Sequence, residues 1–401
     1  MKEIAFTTIS LPSEMAGGLC KAFTSLEQVR VAVDQYGWST AWNQLVQIGL
    51  STHGPDVSEV GSTWLGSLYA MEALQPLNRG SISVLEWEKS FAPVAWNACL
   101  LRPRDLLVAI PWILDVRVVL YRRDWLQKAG VDESTAFEGI ESFYDTLRKI
   151  KVAGHPGPLG LTNNSGARPI HDVASWVWDA GGHFRTIDGR SMTLKEPAGL
   201  RGLQAYFGLS EFIAPEMRGL NETEVESAFI AGKTAVTLLS ERTYYAIVKN
   251  SIEGIAPEVA ENIGMALLLK APFVGGTCLV VWRHSPFVQD GLKLINYLTS
   301  MDAAQILYER SRYTPARVDA LEHTSLASDP FYPVLLQSIK AGRSLQAGFR
   351  WGAVEARLLP VIEQFWQDLQ ADPGMDIHSE VEARFVPLCE RLEGTILATY
   401  E

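Results

Sequence analysis

Along the first seventy residues, short runs of β-branched and aliphatic residues alternate with longer stretches whose apolar positions recur every three or four residues. Residues 4–9, 29–33 and 57–60 read as strands. Each is followed by a helical pattern, at 13–24 (capped by Ser13), 39–50 and 65–73, the last ending before Pro76. His53-Gly54-Pro55-Asp56 marks the turn into the third strand. This rhythm predicts a parallel sheet with helices on both faces.

The pattern then becomes less regular. Strands are predicted at 108–110 and 116–121, separated by Pro111-Trp112-Ile113-Leu114-Asp115. A helix after Arg123 stops at Gly130, and 137–152 is amphipathic. A short strand at 160–162 precedes a helix at 170–180 that Gly181-Gly182 ends. Helices at 194–214 and 222–231, a strand at 235–239, and strands at 264–269 and 278–282 follow. The remainder is helix-rich, at 289–300, 303–310, 331–341, 350–370 and 379–398. No repeat or flexible linker separates these parts, so two lobes would have to be joined by ordered strands.

Length and charge narrow the class. A chain of 401 residues with 47% hydrophobic and 20% charged residues has material for two or three domains. A net charge of −11 disfavours nucleic acid as a partner. The four cysteines, Cys20, Cys99, Cys278 and Cys389, are far apart with no CxxC spacing, which points to buried apolar positions and not to zinc or a redox motif. No apolar run reaches 18 residues, so no transmembrane helix is expected. The N-terminal MKEIAFTTIS lacks an apolar core and reads as the start of a mature domain. Ala231-Gly232-Lys233-Thr234 imitates the end of a P-loop, but Ser227 stands where the first glycine belongs and a helix, not a strand, precedes it. No GxGxxG follows a strand, no GxSxG occurs, and the seven histidines show no ligand spacing. Neither a metal nor a cofactor is expected.

Five segments carry a resemblance to a known family. They are Gly54-Pro55-Asp56-Val57 with Gly61-Ser62-Thr63-Trp64 and Leu74-Gln75-Pro76-Leu77; Ala109-Ile110-Pro111-Trp112 with Asp115 and Val118 to Leu126, closing at Ala129-Gly130; Phe229-Ile230-Ala231-Gly232-Lys233-Thr234-Ala235-Val236-Thr237; Gly275-Gly276-Thr277 with Leu292 to Ser300 and Ala303-Ala304-Gln305; and Tyr313-Thr314-Pro315-Ala316-Arg317. In this order the chain resembles the extracellular solute-binding proteins of ABC importers, in the group that includes maltose-binding protein. The resemblance implies a two-lobed α/β fold of the periplasmic-binding-protein type, each lobe a mostly parallel sheet flanked by helices. Residues 1–114 and 276–313 would form one lobe, and 115–275 and 314–401 the other. It also implies hinge closure on a carbohydrate, delivery to permease subunits, a monomeric state, no enzymatic activity, and a periplasmic or extracellular location reached by signal cleavage or a lipid anchor.

Candidate ligand contacts follow from where loops meet strand ends and from the family pattern. Ser10, Trp38, and Ser62, Thr63 and Trp64 each follow one of the first three strands, where open α/β sheets bind ligands. Indole faces suit the C–H faces of sugars, and hydroxyls their rims. Trp112 and Asp115 fall in the first lobe crossing, with a bridge from Asp115 to Arg117 as the structural alternative. Gly276 and Thr277 fall in the second crossing. Trp178, or Trp176 on the other side of the same helix, is a weaker candidate, and packing at the start of its helix is the alternative for Trp64. Where the family has Gly-Pro-Trp, this chain has Ser240-Glu241-Arg242, so either Tyr244 takes over stacking or Arg242 binds an anionic group. Arg350 and Trp351 complete the set. A glycosidase using Asp56 and Asp115 is the enzymatic alternative, and a ligand sensor with the same fold is another.

Overall fold

The computed structural model describes residues 1–51, 53–77, 88–101, 105–164, 169–186, 189–249, 252–345 and 350–397. Its strands, in chain order, are β1 (Lys2–Thr8), β2 (Val29–Gln35), β3 (Val57–Gly61), β4 (Leu100–Leu101), β5 (Leu106–Leu107), β6 (Ile110–Arg122), β7 (Leu159–Gly160), β8 (Val236–Ser240), β9 (Ile263–Leu267), β10 (Val274–Val281) and β11 (Thr314–Pro315). They fall into two compact units. Unit 1 spans 1–115, 274–332 and 344–352, and unit 2 spans 116–273, 333–343 and 353–401. The expected boundaries need correction after Tyr313. Residues 314–332 pack with unit 1, because Thr314 and Pro315 pair with Leu114 and Ile113 of β6. Residues 344–352 also belong to unit 1.

In unit 1 the sheet order is β2-β1-β3-β10. β1 runs parallel to β2, with Ile4 opposite Val31, and parallel to β3, with Phe6 opposite Val57. β10 returns antiparallel to β3, with Cys278 opposite Val60. β3 is buried along its whole length. The helix Trp38–Ser51 buries Ala41, Leu45 and Ile48, the spacing of one helical face. Ser58, buried in β3, satisfies two neighbours at once: its hydroxyl accepts from Trp282 Nε1 at 2.7 Å and shares a hydrogen bond with Thr7 Oγ1 at 2.6 Å.

Unit 2 keeps the α/β class with a mixed sheet where a mostly parallel one is expected. β6 enters from unit 1 and runs antiparallel to β8 (Arg117 opposite Ser240) and to β9 (Val118 opposite Leu267). β7 joins β8 in parallel. The helices Pro169–Asp179 and Pro197–Gly208 meet backbone to backbone: a Cβ on Gly202 would stand 2.5 Å from the Val177 Cα, so no larger residue fits. An aromatic core surrounds that contact. Trp176 meets Phe143 and Tyr206, while Phe207 stacks on Phe365 at 3.9 Å. Phe365, Trp366 and Phe385 come from the long helices Trp351–Ala371 and Ile377–Leu397.

The two strands predicted around Pro111 are one continuous strand, β6. Pro111 lies ahead of the ladder to β11, which begins at Ile113, so its missing N–H breaks no pairing there. The helix expected over 194–214 is shorter, Pro197–Gly208, followed by a 3₁₀ turn, Leu209–Phe212.

Candidate ligand site

The first three strands of unit 1 are parallel, so their C-terminal ends lie along one edge of the sheet. The segments leaving those ends are Ile9-Ser10 after β1, Tyr36-Gly37 into the helix Trp38–Ser51 after β2, and the 3₁₀ turn Ser62–Trp64 after β3. Three indoles meet there. The Trp64 ring centroid is 6.0 Å from that of Trp38 and 5.6 Å from that of Trp42. Trp38 is 45% exposed, and Trp42 and Trp64 are half-buried. Ser62 and Thr63 are buried beside them. Trp42 escaped the sequence reading, although it lies four residues after Trp38 on the same helix face.

A buried carboxylate holds this edge together. Glu59, in the middle of β3, has no exposed surface. Its Oε2 accepts from Thr8 Oγ1 at 2.8 Å, the Ile9 amide at 2.6 Å and the Ser10 amide at 2.9 Å, while Oε1 accepts from Ser10 Oγ. Two backbone amides and two hydroxyls thus converge on a single side chain, fixing the turn that carries Ser10. No sequence motif marked Glu59, because its donors come from another strand.

The remaining unit 1 candidates divide. Asp115 and Arg350 are half-buried, and so is Gly276. Gly276 has φ +133°, and a Cβ there would overlap the Ile113 carbonyl oxygen, so its role is a backbone approach. Trp112 is corrected to a core residue: it is 2% exposed with its ring edge-on to Phe6 at 6.0 Å, because β6 is buried on both faces here. Thr277 and Trp351 are likewise buried, Thr277 within β10 and Trp351 at the start of its helix. Asp56, one half of the glycosidase pair weighed above, spends its oxygens internally. Oδ2 accepts from the Ala5 amide at 2.8 Å and Oδ1 from Ser285 Oγ at 2.6 Å.

In unit 2, Arg242 is exposed in the first turn of the helix Glu241–Val248, directly after β8. Tyr244 is buried, edge-on to Tyr245 at 5.1 Å, and Trp178 is buried against Phe273 in a near-parallel stack at 6.4 Å. Trp176 lies wholly in the core. The sequence gives no sign of an ionic group in which Arg117, Asp172 and Glu241 are buried and Glu222 is half-buried. Arg117, 1% exposed, forks onto Glu222 at 3.2 and 3.0 Å, and its Nε is 3.6 Å from Asp172. Glu241 Oε2 accepts from the Val116 amide at 2.9 Å and from Ser240 Oγ at 3.0 Å. The sequence points to Arg117 only as a partner for Asp115. Unit 2 also has an open groove of about 1100 Å³ among Tyr144, Arg148, Asp179, Arg201, Lys270 and His378, and none of the expected site residues lines it.

Residues 18–334 match the family model of the bacterial extracellular solute-binding protein. The chain belongs to that family. A relative described as a probable ABC transporter-binding protein, from Deinococcus radiodurans, is 24% identical over 281 residues. That alignment covers 67% of this chain and 64% of the relative, so the chain spans less than two thirds of its length. Among solved structures, an ABC transporter solute-binding protein from Thermotoga lettingae, bound with α-D-tagatose, has a TM-score of 0.80 and 19% identity, covering 99% of this chain and 100% of its own. The sugar-binding protein MalE of Xanthomonas citri has a TM-score of 0.82 and 18% identity, covering 100% and 98%. These likenesses establish the fold of this solute-binding protein as that of the two-lobed binding proteins, in the class the sequence predicts. Among the described residues no helix is long and apolar enough to cross a membrane.

Proposed function

We propose that this solute-binding protein is the carbohydrate-receiving component of an ABC importer, working as a monomer in the periplasm or at the outer cell surface. The observation that carries the reading is the cluster of Trp38, Trp42 and Trp64 at the parallel-strand ends of unit 1, with Ser10, Ser62 and Thr63 alongside. Flat, partly exposed indoles beside hydroxyls match a ligand with apolar C–H faces and a hydroxyl rim. The tagatose held by the Thermotoga lettingae protein and the sugar-binding description of the Xanthomonas citri protein support the same ligand class. Permease subunits are the partners this role requires, and the Deinococcus radiodurans relative supports them.

The binding is reversible and non-covalent. Arg242, exposed where the family carries a stacking tryptophan, favours a ligand with an acidic group over a wholly neutral one. Titration calorimetry against neutral mono- and oligosaccharides and matched sugar acids tests both parts. Binding heats for at least one member are expected, with the acid ahead of its neutral counterpart. Flat heats across the panel refute the carbohydrate reading, and chromatographic recovery of an altered sugar replaces it with the glycoside-processing alternative.

A further inference from the structure

Two cysteines that the ligand-binding reading leaves unused face each other inside unit 1. Cys99 follows the helix Pro93–Ala98, and its amide donates to the Trp96 carbonyl at 3.0 Å. Cys278 sits in β10 opposite Val60. Their sulfur atoms are 3.2 Å apart, inside van der Waals contact, although the residues are 179 positions apart in the chain. Cys99 is fully buried and Cys278 is 2% exposed. The chain between them contains the whole of the 116–273 segment of unit 2.

We propose that Cys99 and Cys278 form a structural disulfide in the exported protein, sealing unit 1 on either side of that excursion. The chemistry is thiol–disulfide exchange with a low-molecular-mass or protein disulfide as oxidant. One cysteine, as thiolate, attacks the oxidant and releases one thiol. The other then attacks the mixed disulfide and releases the second. Two protons and two electrons leave the pair, and the oxidant is reduced to two thiols. Oxidation in the cell rests on the extracellular reading above, since disulfides persist in oxidising compartments. The capacity to bridge does not.

Timing follows from burial. Both sulfurs are buried, so an oxidant reaches neither in folded unit 1, and burial with the neighbouring Cys278 holds the Cys99 thiol well above its ordinary value. The bond therefore closes while unit 1 is still packing and is afterwards shielded from reductants. Cys20 and Cys389, whose thiols burial pushes up to about 12, lie in separate units and act as internal controls.

The test starts from the full chain, unfolded and reduced, then refolded with oxidised and reduced glutathione. It is next unfolded in iodoacetamide and mapped by peptide mass spectrometry. The expected result is a cross-linked Cys99–Cys278 peptide, lighter by two hydrogens than the reduced pair, with Cys20 and Cys389 alkylated. Alkylation of all four, glutathione adducts alone, or any other pairing overturns the proposal. Adding oxidised glutathione to chain already folded in the reduced state should cross-link it about tenfold or more slowly; an equal rate overturns the timing argument. Cys278→Ser should return Cys99 to the alkylated pool. If that variant fails to fold, the parent map alone decides. A parent that bridges in glutathione yet is isolated reduced from its native host refutes the extracellular reading and leaves the pairing intact.

Discussion

Truncating Glu59 separates the scaffold of the candidate site from its ligand contacts. Glu59→Ala removes the acceptor for two amides and two hydroxyls at once. The hydroxyls of Thr8 and Ser10 can rotate to new partners, whereas the Ile9 and Ser10 amides are fixed by the turn and Ile9 is 2% exposed. An orphaned buried amide costs about 1–3 kcal/mol; the Ile9 amide bears that in full and the half-buried Ser10 amide less, which predicts a loss of about 2–4 kcal/mol before any cavity cost. Glu59→Gln keeps an oxygen for the amides and lets its nitrogen donate to Ser10 Oγ. It loses charge assistance but also relieves a buried charge, and these opposing effects leave a net cost of about 1 kcal/mol. Guanidinium unfolding monitored by circular dichroism measures both values, provided the slope stays constant. The Ala variant should also bind sugar more weakly, because the Ser10 turn loses its anchor, whereas the Gln variant should bind nearly as the parent does. An Ala variant within about 0.5 kcal/mol of the parent would refute the assignment of Glu59 as the anchor of this edge.

Three further outcomes are expected. Trp64→Ala should weaken sugar binding by about 1–3 kcal/mol, roughly 5- to 150-fold, by calorimetry; full affinity in a folded variant assigns the indole to packing alone. Gly276→Ala should cost more than about 3 kcal/mol, because its φ of +133° excludes a side chain and the new Cβ meets the Ile113 carbonyl; a variant that melts with the parent contradicts this. His155 is held below its ordinary value of 6.5 by burial, then by the charges of Arg122 and Lys128. The unfolded chain therefore takes up the proton first, so the stability this group contributes is complete above pH 6.5 and is lost as pH falls through the lower folded value. His155→Gln should flatten unfolding free energy against pH in that window, and an unchanged slope would show that another group controls it.

What could be read from the sequence and what could not divides along a physical line. The loops after β1, β2 and β3 were legible because strand–helix alternation fixes which strand ends share an edge, and any tryptophan beginning the next helix must stand there, as Trp38 and Trp64 do. Trp112 is a sequence candidate because it falls in the expected lobe crossing. Pro111, though, suggested a loop where the chain forms one strand buried on both faces, and such a strand directs its indole into the core. Glu59, the Arg117–Glu222–Asp172 group and the Cys99–Cys278 contact share a different obstacle. Each joins residues at least 49 positions apart through side chains, and periodicity reports only on neighbours within a turn or along a strand. Strand register decides such pairings: Glu59 and Cys278 lie one step apart on the β3–β10 ladder, yet one faces the Ser10 turn and the other meets Cys99. Alternation across the sheet therefore places the side chain that orders the candidate edge and the proposed sulfur pair in adjacent rungs of one ladder.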